Sequence, residues 1–512
     1  MCMKKISDCL YKTVNIIMAL IFTWLLILLC IGSKIDYAYK IDWKIENIIL
    51  LILGMGCLYL IKKIPFKSIE SLLKNRKFVL GFAFIFFLVQ VYVFYCIFFE
   101  TGWDSGGAVI PAARALLEKA DVTDLNERYF KVYPNNLFLV HLYYLILKIC
   151  TRVGVFCGTY QLMPIVICNC AISSVSCLML FFIGEKRVPI KWTWTIYIWM
   201  LFVVGLSPWN VICYSDPLAL FFPICIVYLY LNVDMNIYIK YGIILILGYI
   251  GYCIKPQVVI VIIALTITEI LRYMKMKPKM KVRKMIGTIV VSGVIICLIS
   301  SGLHFVYQQN GFVKEKDREF GMSHFFMMGL NEKTGGGWLN EDVQTSENCK
   351  TSQERQRNNI KIAKERLKAF GAAGYFKFLS KKMLTNYNDG TFAWGAEGQF
   401  YYVVPENPSA RLTYQFREIY YHSGAYYDYF SMTEQFLWIT MLGMVWWIAV
   451  KQIFEKNGQQ YFILLLELSL IGITLFELLF EARARYLYLY VPIYAVFVLL
   501  GNRKEQKHCN IA

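Results

Sequence analysis

The chain has 512 residues, 58% of them hydrophobic, 16% aromatic and 17% charged, with a mean hydropathy of +0.48. A soluble globular chain carries roughly 25% charged residues, and apolar runs of membrane-spanning length recur here from end to end. A soluble enzyme and a disordered chain are excluded; the expected class is an all-α polytopic membrane protein.

The formal net charge of +18 imitates a nucleic-acid signal until it is placed. Arg272–Lys284 holds seven basic residues and no acidic one, whereas His304–Ser431 holds sixteen basic and fourteen acidic residues. The excess therefore sits in short connections and termini, the positive-inside pattern of cytoplasmic loops. It implies contact with the lipid bilayer and its anionic headgroups and no nucleic-acid partner. The sixteen cysteines lie mostly within apolar runs, without a CxxC pair, and read as small buried hydrophobes. Five histidines without HExxH give no closed metal site.

Residues 1–77 comprise two spans, about Val14–Ile31 and Ile45–Ile61, and a basic cytoplasmic linker, KKIPFKSIESLLKNRK. The first reads as a retained helix, since no small-residue cleavage site follows it. Residues 78–303 form the transmembrane core. Its first span, Phe78–Phe99, leads into an outer loop, 100–136, whose AVIPAARALLEKA has the spacing of a short interfacial amphipathic helix. Apolar runs follow at Leu137–Cys150, Leu162–Ile183, Trp192–Pro208, Tyr214–Leu231, Tyr241–Cys253, Pro256–Leu271 and Ile286–Leu303. Gly184–Arg187 (GEKR) belongs inside, which demands an odd number of crossings between 136 and 185, where two runs are visible.

Residues 304–431 make an extracytoplasmic domain. Ile360, Ala363, Leu367 and Phe370 line one apolar face of a basic helix, with Gly371 and Gly374 as kink points; that helix either caps a membrane cavity or lies on lipid. GLNEKTGGGWLN reads as a mobile loop. Residues 432–512 add spans at Phe436–Val450, Tyr461–Phe480 and Tyr486–Leu500 and a basic cytoplasmic tail. The expected total is about 12–14 crossings.

Polar groups are costly in lipid, so those near span ends are functional candidates. The outward face collects Glu100, Asp104, Asp216, Lys255, Glu477, Glu481, Arg483 and Arg485. Asp104, in GWDSGG, could take the proton of an attacking hydroxyl, hold a divalent cation (Mg or Mn), or merely cap the next helix. Lys255 suits a phosphate headgroup or snorkels to the interface. Arg483 and Arg485 are two apart and reach one ligand only where the backbone is not regular helix; two guanidiniums bind phosphate well, and pairing with Glu477 or Glu481 is the alternative. Tyr133, Pro134, Asn135 and Asn136 open the next span with two amides suited to sugar hydroxyls, a pattern that helix-start chemistry also produces. Trp103, Tyr133, Trp338 and Trp394 are candidate stacking or cavity-lining aromatics, or interfacial anchors. Glu467, deep in LLLELS, reads as a bundle-packing hydrogen bond.

The order of these parts resembles the GT-C superfamily of membrane glycosyltransferases. It is most similar to the branch of protein O-mannosyltransferases and lipid A aminoarabinose transferases (glycosyltransferase family 39-like), in a Gram-positive-type version. The similar features are Asp104 early in the first outer loop, the Pro-containing start Tyr133–Asn136, YSDPLAL with Asp216, GYCIKP with Lys255, a large late outer loop, and EARARY at Glu481–Tyr486. They cover roughly residues 78–500. The resemblance implies a GT-C fold and transfer of a sugar from a polyprenyl-phosphate carrier to an envelope acceptor (polysaccharide, teichoic acid, glycolipid or protein) outside the cell membrane. Asp104 would be the catalytic carboxylate, Lys255, Arg483 and Arg485 the carrier-phosphate ligands, and Trp103, Tyr133, Asn135, Asn136, Asp216 and Glu481 the sugar or acceptor contacts. The sequence departs from relatives in carrying two spans before the one that leads to Asp104, and YPNN where many have a His- or Lys-Pro-Pro segment. Competing classes are a lipid-linked sugar transporter or flippase and a non-catalytic envelope-assembly protein. A transporter would be expected to show inverted halves, and the large outer loop occurs once.

Overall fold

The computed structural model describes residues 2–156, 158–276, 282–398, 400–406, 410–454 and 460–501. Residues 277–281 of the basic stretch, 455–459 of the last inner loop and the tail from 502 lie outside the described residues.

The protein is a multi-pass helical membrane protein. Ten described helices are long and apolar enough to cross a membrane, against the twelve to fourteen expected. Two shorter apolar helices, Ile190–Gly205 and Val491–Gly501, and the 17-residue Asn47–Lys63 complete the apolar set. In chain order the main helices are α1 (Cys2–Ile31), α2 (Asn47–Lys63), α3 (Arg76–Cys96), α4 (Ile110–Glu118), α5 (Leu137–Val153) and α6 (Met163–Glu185). Then come α7 (Ile190–Met200), α8 (Phe221–Asn232), α9 (Ile237–Ile254), α10 (Val259–Met276) and α11 (Val282–Gln309). The outer domain holds α12 (Met322–Met328), α13 (Asn340–Glu347), α14 (Ser352–Tyr387) and α15 (Ala410–Tyr420). The chain closes with α16 (Tyr427–Phe454), α17 (Tyr461–Leu479) and α18 (Val491–Gly501).

Helix α5 explains the parity problem between 136 and 185. It has the length of a span, yet both ends lie on the side of the bundle at which α3 ends. Asn136, at its start, bonds to Tyr129 and Tyr214. Beyond its end, Gln161 accepts from Arg114 of α4 at 2.9 Å, and Tyr160 stacks on Tyr95 at the outer end of α3, with ring centroids 4.9 Å apart. The helix packs along α4, with Leu139, Tyr143 and Leu147 buried and Leu145, Ile149 and Val153 exposed, as an interfacial helix does. Helix α6 then crosses alone, bringing Glu185 to Arg76 at the inner end of α3, 3.5 Å away.

Without a hydrophobic drive between helices in lipid, polar side chains supply specificity. Gln90 of α3 donates to Gly205 O and Ser173 and accepts from Ser174. The Tyr387 hydroxyl joins Thr474 at 2.7 Å and Tyr494 at 2.8 Å. Glu467 is fully buried beside Asn15 of α1, whose amide, turned to donate, reaches it at 2.8 Å; this is the packing role expected. The described cysteines are all free.

The outer domain packs onto the bundle. In α14, Ala363, Leu367 and Phe370 meet Met327, Leu330 and Phe378, with Ile362 rather than Ile360 completing the seam. Gly371 breaks the helix at φ 58°. Neither expected placement of this helix is complete. Its first half rests on α12, and its second half joins the bundle, where Phe376 stacks on Trp24 at 5.3 Å. The two outer loops are also stitched together by an antiparallel pairing of β1 (Glu100–Thr101) with β2 (Tyr401–Val403).

The glycine loop is docked rather than free. Gly336 O accepts from Ala482 N at 2.9 Å, and Gly336, at φ +86°, sits where a Cβ would come within 2.8 Å of Gly329 O. The glycines permit close backbone approach at the segment carrying Arg483 and Arg485. Gly336→Ala is expected to cost about 2 kcal/mol or more, read as a lowered unfolding temperature in detergent.

Candidate functional site

The site lies where the first outer loop, the 205–216 segment, the α9–α10 junction and the segment after α17 converge. Asp104 precedes a helical turn but makes no capping hydrogen bond. Its Oδ2 instead accepts from Tyr214 at 3.3 Å. Tyr214 also bonds the Asn136 amide at 3.2 Å, and Asn136 reaches Tyr129 at 2.7 Å. Asp104 is an exposed residue, yet the protein around it partly desolvates its carboxyl group. That crowding pushes its carboxyl above the usual aspartate range, although Arg485, Arg483 and Tyr214 pull the other way.

Arg485 is buried, its guanidinium 4.4 Å from the centroid of Trp103 and 5.8 Å from that of Tyr214. Residues 481–483 are irregular, so the two arginines escape the divergence a helix would impose. They converge on Glu397: Arg483 Nη1 lies 3.0 Å and Arg485 Nε 3.3 Å from the same carboxylate oxygen. Arg483 Nε also donates to Glu481 at 2.7 Å, and Tyr486 donates to Glu481 at 3.1 Å. Burial would raise the Glu481 carboxyl, but Arg483, Arg485 and Tyr486 together outweigh it and hold it below its ordinary value. The expected alternative partner Glu477 lies 3.5 Å from the backbone N–H of Arg483.

Lys255 and Asp216 form a buried ion pair, with the ammonium 4.4 Å from the centroid of Tyr486. Asp216 thus pairs through Oδ1 with Lys255, the residue expected to meet the carrier phosphate. Lys255 lies at the α9–α10 junction, buried rather than snorkelling. Asn135 is exposed and reaches its neighbour Asn136, at 3.5 Å. Tyr133 stands between Tyr129 and Phe320, at 5.2 and 5.5 Å. Trp394 is fully buried against Trp209, donating to Tyr420 O, and is a core residue rather than a stacking platform.

Three contributors escaped the sequence reading. Glu397 is aimed by a strained turn: Asp389 accepts from Thr391 N at 2.7 Å and Ala393 N at 2.9 Å, and Phe392 and Ala393 adopt φ 56° and 62°. Tyr214 precedes the SDP start of its span and had no separate signal. Lys382, fully buried, donates to Gly329 O at 2.8 Å and Phe480 O at 2.6 Å, tying the glycine loop to the arginine segment. Burial pushes its ammonium down to about 7, against the pull of Glu477 and Glu481.

Among the described residues, several buried polar atoms here have no hydrogen-bond partner: Trp103 Nε1, Asp216 Oδ2, both Glu397 oxygens, Glu477 Oε1 and Arg485 Nε. Such groups call for an explanation, and a polar ligand is one. Asp104 has Tyr214, Arg485, Arg483 and the carboxylate Glu481 around it, and among the described residues no three His, Cys, Asp or Glu side chains group to hold a metal ion.

Fold and site together define a polytopic helical membrane protein with a charged, aromatic-lined cluster where loops between its spans converge. The chain belongs to the family described as conserved hypothetical integral membrane protein, which it matches over residues 1–505. Comparison with curated proteins found no match, and neither did comparison with solved structures.

Proposed function

We propose that the outer cluster binds a polyprenyl-phosphate-linked sugar and that the protein transfers the sugar to a cell-envelope acceptor, as a GT-C-type glycosyltransferase. One observation carries this reading: Asp104 is an exposed residue within electrostatic reach of Arg485 and Arg483, while Asp216, Glu397 and Glu481 are buried in ion pairs. In an inverting transfer the acceptor oxygen attacks the anomeric carbon and the carbon–oxygen bond to phosphate breaks. The phosphate departs on its lipid, and the hydroxyl proton passes to Asp104. Leaving phosphate needs positive charge rather than protonation, which Arg485, Arg483 and Lys255 supply.

A second reading rests on those same cations, each already ion-paired inside the protein. A carrier-lipid transporter or flippase, or an envelope-assembly protein, needs a bound headgroup and no chemistry. The deciding experiment presents purified protein in nanodiscs with a panel of short-chain polyprenyl-phosphate sugars and envelope extract, with and without divalent cation. Release of polyprenyl phosphate supports the transferase. Binding without turnover replaces it with the second reading. No binding by folded protein removes both forms of the carrier-lipid hypothesis.

A further inference from the structure

Helix α14 is anchored to its own domain by one side of its first half. Arg355, buried, donates from Nε to Ser346 O at 2.8 Å and from Nη2 to Asp317 O at 2.7 Å. Asn359 accepts from Ser346 Oγ at 3.1 Å, Ala363 packs in the seam with Met327 and Leu330, and Arg366 pairs with Asp342 at 2.6 Å. At about 100° per residue these four positions share one side of the helix and leave the opposite side to water. That opposite side carries Arg357, Lys361, Lys364 and Lys368, all exposed. They fall within about 60° of one another around the axis, in a straight row roughly 16 Å long.

Other cations of the domain meet carboxylates: Lys333 pairs with Glu341, Arg318 with Glu127 and Arg366 with Asp342. Among the described residues no carboxylate lies within ion-pair distance of any of the four in the row, although Glu365 stands beside it on the helix. An open depression of about 540 Å³ lies along the same face, lined by Gln356, Arg357, Ile360, Lys361, Lys364 and Glu365. A bilayer surface does not fit this face. A helix that lies on lipid buries an apolar face there, whereas the apolar seam of α14 is occupied by Met327 and Leu330. Among the described residues no large apolar side chain is exposed between Trp338 and Phe376. An acidic protein segment fits less well than phosphate. Planar carboxylate recognition favours the arginine fork, and three of these four cations are lysines, compact point charges suited to phosphate. A straight row of such charges complements a flexible chain that carries a phosphate in every unit.

We propose that this face of α14 binds a linear phosphate polymer through Arg357, Lys361, Lys364 and Lys368. Such binding uses no residue of the cluster around Asp104, so it stands or falls apart from the carrier-sugar reading. The test uses the full chain in nanodiscs of neutral phosphatidylcholine and measures binding of fluorescent linear polyphosphate long enough to span the row, with polyglutamate of equal charge as the comparison. Wild type is set against a row variant (Arg357→Gln, Lys361→Gln, Lys364→Gln and Lys368→Gln together) and a charge-matched control. The control carries Lys314→Gln, Lys316→Gln, Lys350→Gln and Lys377→Gln, at lysines exposed away from the row. Unfolding temperature is followed for each. The row variant is expected to lose roughly tenfold or more in affinity for polyphosphate while the control loses about threefold at most, and wild-type affinity should fall on the order of tenfold between about 50 and 200 mM salt. Exchange of Lys361, Lys364 and Lys368 for arginine keeps the charge and should keep the binding. If the row variant does not fold, Arg357→Gln with Lys361→Gln and Lys364→Gln with Lys368→Gln take its place, each expected to weaken binding several-fold. No binding by wild type, equal loss in row and control variants, or polyglutamate bound as tightly as polyphosphate overturns the proposal.

Discussion

Replacing Asp104 by asparagine is expected to lower sugar transfer roughly 10²- to 10⁴-fold while leaving carrier-lipid affinity near the wild-type level. The amide keeps the shape and can still accept from Tyr214, whose hydroxyl lies 3.3 Å from Oδ2; what it loses is the ability to take a proton. The cations assigned to the phosphate are untouched, so binding and turnover should separate. The pH dependence has a definite sign. Crowding by protein raises the Asp104 carboxyl, so transfer that needs the carboxylate should fall on the acid side at a higher pH than an ordinary aspartate near 3.9 would give. The same shift bears on stability. A raised folded value means that folding favours the protonated acid, a contribution present at low pH and lost as pH rises through the folded value. Asp104→Asn should therefore unfold no lower than wild type at neutral pH. Loss of transfer together with loss of binding and of stability would instead mark Asp104 as structural.

Much of the membrane architecture was legible because its causes are local. Span length, the basic stretch at Arg272–Lys284 and the break at Gly371 are written in consecutive residues. The orientation of α5 was not, since an interfacial helix and a crossing one have the same composition; only partners distant in sequence, Arg114 for Gln161 and Tyr95 for Tyr160, separate them. The site shows the same division. Arg483 and Arg485 stood out as cations at a span boundary, and their convergence on one group was foreseen as a condition on the backbone. The group itself, Glu397, is some ninety residues earlier, aimed by an Asp389-held turn that no periodicity announces. The glycine loop was misjudged for a physical reason. Consecutive glycines confer freedom in an isolated chain, but here they allow the backbones of Gly336 and Ala482 to meet.

The buried pair of Lys255 and Asp216 supplies the prediction with the largest effect on stability. Both side chains are almost wholly removed from solvent, and Asp216 Oδ2 has no hydrogen-bond partner among the described residues. Lys255→Met would leave the Asp216 carboxylate buried without its counter-charge, and breaking such a pair from one side costs about 3–5 kcal/mol. Adding Asp216→Asn removes the orphaned charge, so the double variant should recover most of the lost stability, and the pairwise coupling can be read from the full cycle of unfolding temperatures. That rescue separates the two roles given to Lys255. If its ammonium only balances Asp216, the rescued double variant should bind polyprenyl phosphate as wild type does. If it is a ligand of the phosphate, the double variant should be folded and yet bind at least tenfold more weakly, since a charge-assisted contact is worth about 1.5–3 kcal/mol. The ring of Tyr486, 4.4 Å from the ammonium, favours a fixed cation under either role. The difference lies in whether Arg485, crowded against the same tyrosine, can hold a phosphate alone. A stable double variant with unaltered binding would restrict the phosphate site to the two arginines, and a stable one that fails to bind would extend it across the α9–α10 junction.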